Sequence, residues 1–187
     1  MKEWKYIWWT PEDFKPMQKC VKCDIEKDIN EFDIDYNRGQ IAIICSICKK
    51  STEKIDFKGK FYALIMRKEH EPEKTEFYTD KDNPLQMGII THEKGYIEKP
   101  HIHKPVKRII TETQETLTVT KGIVKINFYD KEWKKFGERT LREGDTILLS
   151  ANGGHAIEVL ENFKGIKVKQ GPYISVEKDK EIFTEKK

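Results

Sequence analysis

From Phe61 onward the chain alternates short apolar stretches with turn signals. Phe61–Met66 is a continuous apolar run. Thr75–Thr79 ends at the turn Asp80-Lys81-Asp82-Asn83-Pro84, and Leu85–Thr91 follows it. Gly122 sits between Thr116–Thr120 and Ile123–Tyr129, the pattern of a hairpin. In its return strand Val124, Ile126 and Phe128 alternate with Lys125, Asn127 and Tyr129, which predicts one buried face. Strands at short, regular intervals predict a mainly β fold, a sandwich or barrel. Residues 51–60 read as a linker into this part, and Glu177–Lys187 as a charged tail that frays or docks loosely. Ahead of it, residues 1–15 form an aromatic arm with Trp4, Trp8 and Trp9, covering its own core or meeting a neighbouring domain or second subunit. Thr10-Pro11 has the form of a helix start.

Strand parity selects the residues that carry chemistry. Residues i and i+2 share a face, so His101 and His103 point the same way. Glu115 shares its face with Leu117 and Val119, whereas Thr116, Thr118 and Thr120 take the other; Glu112 falls on that other face. His155 shares its face with Ile157 and Val159. A carboxylate on a core face needs a metal, a cation or strong hydrogen bonds. One histidine alone reads as a satisfied core residue. A His-x-His pair in phase with a glutamate and a third histidine reads as a ligand set for Fe²⁺, Mn²⁺, Zn²⁺, Ni²⁺ or Co²⁺. Four protein ligands on an octahedral metal would leave two positions for water or substrate.

The four cysteines form two C-x2-C pairs, Cys20/Cys23 and Cys45/Cys48, with 21 residues between the pairs. Two such turns suit tetrahedral Zn²⁺, and four filled ligands imply a structural site. Residues 16–54 have little apolar content for a core, so the metal is expected to supply much of the folding energy of this module. A short apolar strand, Ile41–Ile44, leads from the Gly39 turn to the second pair.

Charge narrows the functions. The 187 residues carry 36% charged side chains and a net charge of only +3, too little to imply a polyanionic partner. Residues 16–54 hold seven Lys+Arg against seven Asp+Glu. The zinc module is therefore expected to serve as a scaffold or protein contact in preference to binding nucleic acid. No apolar run approaches the roughly 20 residues that span a bilayer, and the N-terminus has no signal-peptide pattern, so the expected setting is cytoplasmic, without a membrane.

Gly95-x5-His101-x-His103 followed by Glu115-x6-Gly122, with Gly144-x5-Ser150-x-Asn152-x2-His155, resembles the two motifs of the cupin superfamily. The resemblance covers about residues 57–187. Thr113-Gln114-Glu115, Asn127–Asp130, Gly153-Gly154-His155 and Val168–Tyr173 further resemble a subgroup of small bacterial cupins. It implies a double-stranded β-helix, or jelly roll, over residues 57–176, with His101, His103, Glu115 and His155 as metal ligands. It also implies a homodimer. The chain departs from the motifs in the 11 residues between His103 and Glu115, and in Ser150, Asn152 and Val159, where the second motif has proline, glycine and asparagine. The cysteine stretch, with Lys27, Phe32 and Gly39 between the pairs, resembles the zinc ribbon or treble-clef-like part of endonuclease VII-like and HNH-associated proteins. No histidine precedes His70, so nuclease chemistry is not implied.

The inserted segment carries Lys104, Lys107 and Arg108 beside the His-x-His pair, with Thr113 and Gln114 at the same rim. These are the expected contacts for a small polar or anionic ligand, carbohydrate- or carboxylate-like, unless the segment is simply solvated. Two functions follow. One is a metal-dependent enzyme with isomerase/epimerase-like or dioxygenase-like chemistry. The other is a non-catalytic sensor whose zinc module contacts a protein or nucleic-acid partner.

Overall fold

The computed structural model describes residues 52–183 and the backbone of four short strands before them. The chain divides into two compact units, Met1–Lys50 and Ser51–Lys187. In the first, β1 (Met17–Lys19) pairs antiparallel with β2 (Glu26–Asp28), and β3 (Phe32–Asp35) with β4 (Gln40–Cys45). The aromatic arm and the side chains of Cys20, Cys23, Cys45 and Cys48, with their expected zinc site, lie outside the described residues.

The second unit holds β5 (Thr52–Phe57), β6 (Lys60–Met66), β7 (Glu76–Phe77), β8 (Gly88–Ile89), β9 (Glu115–Lys121), β10 (Ile123–Tyr129), β11 (Lys135–Arg142), β12 (Thr146–Leu149), β13 (Gly154–Val159) and β14 (Lys164–Lys169). One helical turn, α1 (Val176–Asp179), follows, with Ser175 Oγ accepting from the Lys178 amide as N-cap. The strands make an antiparallel five-stranded sheet, β14-β9-β12-β6-β5, a three-stranded sheet, β11-β10-β13, and the small β7–β8 ribbon.

Alternation decides what lies in the core. Ile55, Ala63, Ile65, Leu117, Val119, Ile147 and Leu149 come from one face of the large sheet. They pack with Val124, Ile126, Phe128 and Leu141 from the small one. Each fully buried aliphatic or aromatic side chain contributes roughly 1.5–3 kcal/mol of transfer free energy. Phe57 and Phe136 stack between them with ring centroids 4.1 Å apart. The other face of β6 and β12 carries Leu64, Met66 and Leu148, which pack with Met87 and are covered by Tyr78, Leu85 and Ile89 of the β7–β8 region. β6 is thus buried on both faces, which is why Phe61–Met66 shows no polar alternation. Gly122 turns the β9–β10 hairpin at φ +81°, where a Cβ would meet the Asn162 carbonyl at 2.2 Å.

Two sequence expectations differ from the fold. Thr52–Phe57, read as linker, is β5; its inward residues are Glu53, Ile55 and Phe57, and the inward charge of Glu53 hid the period. Ile55 is buried. β7 and β8 are only two residues each, shorter than the expected 75–79 and 85–91 strands. The start of the expected tail forms α1 and docks: Lys169 bonds Asp179, and Trp133 packs against Phe183. Among the described residues no helix is long and apolar enough to cross a membrane.

The end of the sandwich away from Glu115 is closed by charge. Arg67, 5% exposed, donates from Nη1 to Asp145 Oδ2 and to the Thr140 carbonyl, each at 2.8 Å. Asp145 also accepts the Arg142 and Lys68 amides, and Glu53 accepts from Arg139 at 2.7 Å. Removing one partner of such a buried pair leaves the other uncompensated. Asp145→Ala is expected to cost about 3–5 kcal/mol in urea unfolding; a loss below about 1 kcal/mol would show that the pair does not hold this end together.

Candidate functional site

Glu115 opens β9, and its side chain follows Leu117 and Val119 onto the inner face of the large sheet. His155 lies on β13 opposite Phe128, on the inner face of the small sheet. The two sheets thereby bring Glu115 and His155 together: His155 Nε2 lies 3.0 Å from Glu115 Oε1, donating to the carboxylate. Lys167 joins them from β14. It is paired with Leu117, which puts its side chain on the inner face, and its Nζ donates to the same Oε1 at 2.8 Å. Glu115 is 6% exposed, whereas the side chains of Lys167 and His155 are 38% and 30% exposed. The carboxylate is the buried member, and its two partners reach solvent.

The turn before β13 fixes His155. Ser150 Oγ and Asn152 Nδ2 both donate to the Phe61 carbonyl, at 2.6 and 2.8 Å. Gly153 passes so close to β6 that a Cβ would meet the Tyr62 ring at 2.2 Å and the Tyr129 carbonyl at 2.4 Å. Ser150 and Asn152, which depart from the cupin motif, thus anchor this turn with their side chains.

Burial alone would raise the pKa of Glu115. The hydrogen bonds from His155 and Lys167, with their charges, outweigh burial and hold the carboxyl down at about 2.

The other expected site residues are placed differently. His101 and His103 lie on the segment between β8 and β9, which has neither helix nor strand; both are exposed, with ring centroids 5.1 Å apart. His101 Nδ1 is 3.1 Å from the Lys99 carbonyl and 3.6 Å from Glu98 Oε1. Lys104, Lys107 and Arg108 are exposed on the same segment, and Thr113 is half-buried. Gln114 is 2% exposed and its amide is taken up by the fold: Oε1 accepts from Asn83 and from the Leu85 amide, and Nε2 donates to Asn83. Glu112 is exposed. Among the described residues no three His, Cys, Asp or Glu side chains come together as a ligand group.

Imidazole and carboxylate are suitable donors for a divalent metal, and Glu115 with His155 supplies one of each at a single point. Lys167 is the partner that sequence reasoning missed. Its strand reads Ile166 and Val168 against Lys167 and Lys169, and alternation alone would turn the lysines to solvent. The register does the reverse, leaving Ile166 and Val168 61% and 54% exposed. No protein-family model, curated protein or solved structure matches the chain.

Because the carboxyl pKa is depressed on folding, the stability it contributes is fully present above its unfolded value of about 4.5. That stability is lost as pH falls through about 2. In metal-free buffer the stability difference between wild type and Glu115→Gln is expected to shrink by about 2 kcal/mol between pH 6 and pH 3. Chemical denaturation at each pH reads this difference directly, and a pH-independent value would mean that Glu115 is not held as an ion.

Proposed function

We propose that the second unit is a cupin-type jelly roll. It would hold a divalent metal at His101, His103, Glu115 and His155, and there bind, and in the enzyme reading transform, a small polar or anionic molecule. The Glu115–His155 contact carries this reading, because it joins two expected ligands from strands of different sheets. The sheet edges support it. β13 is an edge of the small sheet, and its inward-facing Val159 is 57% exposed. The segment bearing the His-x-His pair leaves Ile97, Ile102 and Ile109 more than 80% exposed. A strand from this segment, added along β13, would satisfy that edge, cover apolar surface on both partners and carry His101 and His103 toward His155. A metal so held would act as a Lewis acid toward an oxygen-rich ligand. The chain's own part is to present the four donors and to exclude water behind them with Leu117, Phe128 and Leu149. A tetrahedral zinc at Cys20, Cys23, Cys45 and Cys48 would be structural.

A non-catalytic sensor is the second reading, favoured by one observation. Lys167 already neutralises Glu115, so the site is electrostatically satisfied without a metal.

Elemental analysis of the intact protein tests the proposal. Two metal ions per chain are expected, one of them zinc, and His101→Ala/His103→Ala should lose only the second. A wild type with a single ion per chain, or a double variant that keeps both ions, would contradict it.

A further inference from the structure

We propose that two copies of this chain dock through an exposed basic arm, residues 92–112, which lies on the acidic β7–β8 ribbon of the other copy. The docking needs no metal. The closure along β13 uses the stretch up to His103, and the docking residues follow it.

The arm projects from the ribbon itself. At one end the Thr91 amide donates to Thr75 Oγ1 at 3.0 Å, and Thr91 Oγ1 donates to the Pro72 carbonyl at 3.2 Å. At the other end buried Gln114 accepts from Asn83 and from the Leu85 amide. Between these anchors every residue from His92 to Glu112 is exposed. A segment of this length without helix or strand is uncommon in a compact domain and is usually functional. Between Lys94 and Ile110 it carries five Lys or Arg and one Glu. Lys104, Lys107 and Arg108 are interleaved with Val106, Ile109 and Ile110, which are 60%, 82% and 45% exposed.

The ribbon presents the complement. Between Glu71 and Asp82 the chain carries five acids and two lysines, and all five acids are exposed. Tyr78 and Ile89 turn inward, so their chain neighbours Phe77 and Ile90 face outward, 56% and 70% exposed. The Phe77 ring lies over Gly88, where a Cβ would meet it at 2.9 Å. Apolar side chains set among acids on the ribbon thus match apolar side chains set among bases on the arm.

Both halves of this match belong to one chain, which selects a second copy as the partner. The arm leaves and rejoins its own ribbon, so a two-fold axis beside that root lets each arm cross to the other ribbon. Arm and ribbon supply roughly 30 residues per copy, the size of one side of a standard interface.

Sedimentation equilibrium of the full-length protein tests this. Wild type should dimerise with a Kd of about 10 µM or tighter, and raising NaCl from about 0.05 to 0.5 M should weaken it about tenfold. K104E/K107E/R108E reverses the charge of the arm, and E71K/E73K/D82K that of the ribbon. Each alone should weaken the dimer about a hundredfold. In an equimolar mixture of the two, both contacts again join opposite charges, and the dimer should return to within about tenfold of wild type. Circular dichroism confirms that the variants are folded, and the salt series on wild type needs no variant. A wild type still monomeric at about 100 µM would overturn the proposal and leave the arm to an acidic partner of another kind. A dimer unmoved by salt or by either triple variant, or folded variants whose mixture stays monomeric, would overturn it as well.

Discussion

A carboxylate facing the interior of a β-sandwich persists as an ion only with positive charge or strong hydrogen bonds beside it, and Glu115 imposes that condition on this fold. Its partners come from the two strands that edge the sheets at the mouth: His155 from β13 and Lys167 from β14. The same contacts that offset desolvation of one acid therefore tie the small sheet to the large one at its open end. Both contacts fall on one oxygen, Oε1.

The far end of the sandwich meets the same condition with buried partners. Asp145 and Glu53 are matched by Arg67 and Arg139, and the backbone amides of Lys68 and Arg142 complete the shell of Asp145. Between the two ends the interior is apolar, from Ile55 across to Leu141. The contrast in exposure separates a structural ion pair from a candidate site. The side chains of Arg67 and Asp145 are 4% and 3% exposed, whereas Lys167 beside Glu115 is 38% exposed.

Much of the sandwich was legible because its strands keep a period of two. Val124, Ile126 and Phe128 alternate as a half-buried strand should, and they lie in the core. The parity argument that put Glu115 inward and Glu112 outward agrees with their burial. Legibility failed where a polar residue serves the interior. Glu53 faces inward to meet arginines, so β5 looked like a linker. Lys167 faces inward to meet Glu115, against the alternation that Ile166 and Val168 suggest. Gln114 was read as a rim contact, but a buried amide needs its hydrogen bonds, and Asn83 and Leu85 provide them. His101 and His103 are a different case. Their alternation was visible, but a strand forms only where it has an edge to join, and the segment between β8 and β9 joins none.

The proposed closure along β13 would cover its free edge and the exposed apolar residues of that segment, and would bring His101 and His103 to Glu115 and His155. The most direct measurement is a crystal structure of the full-length protein grown with Mn²⁺, with the ion located by its anomalous scattering. The account predicts one strong peak bonded to Glu115 and His155, with His101 and His103 completing the ligands from a strand paired to β13. A peak elsewhere, or Glu115 still held by Lys167 with His101 and His103 in solvent, would contradict it.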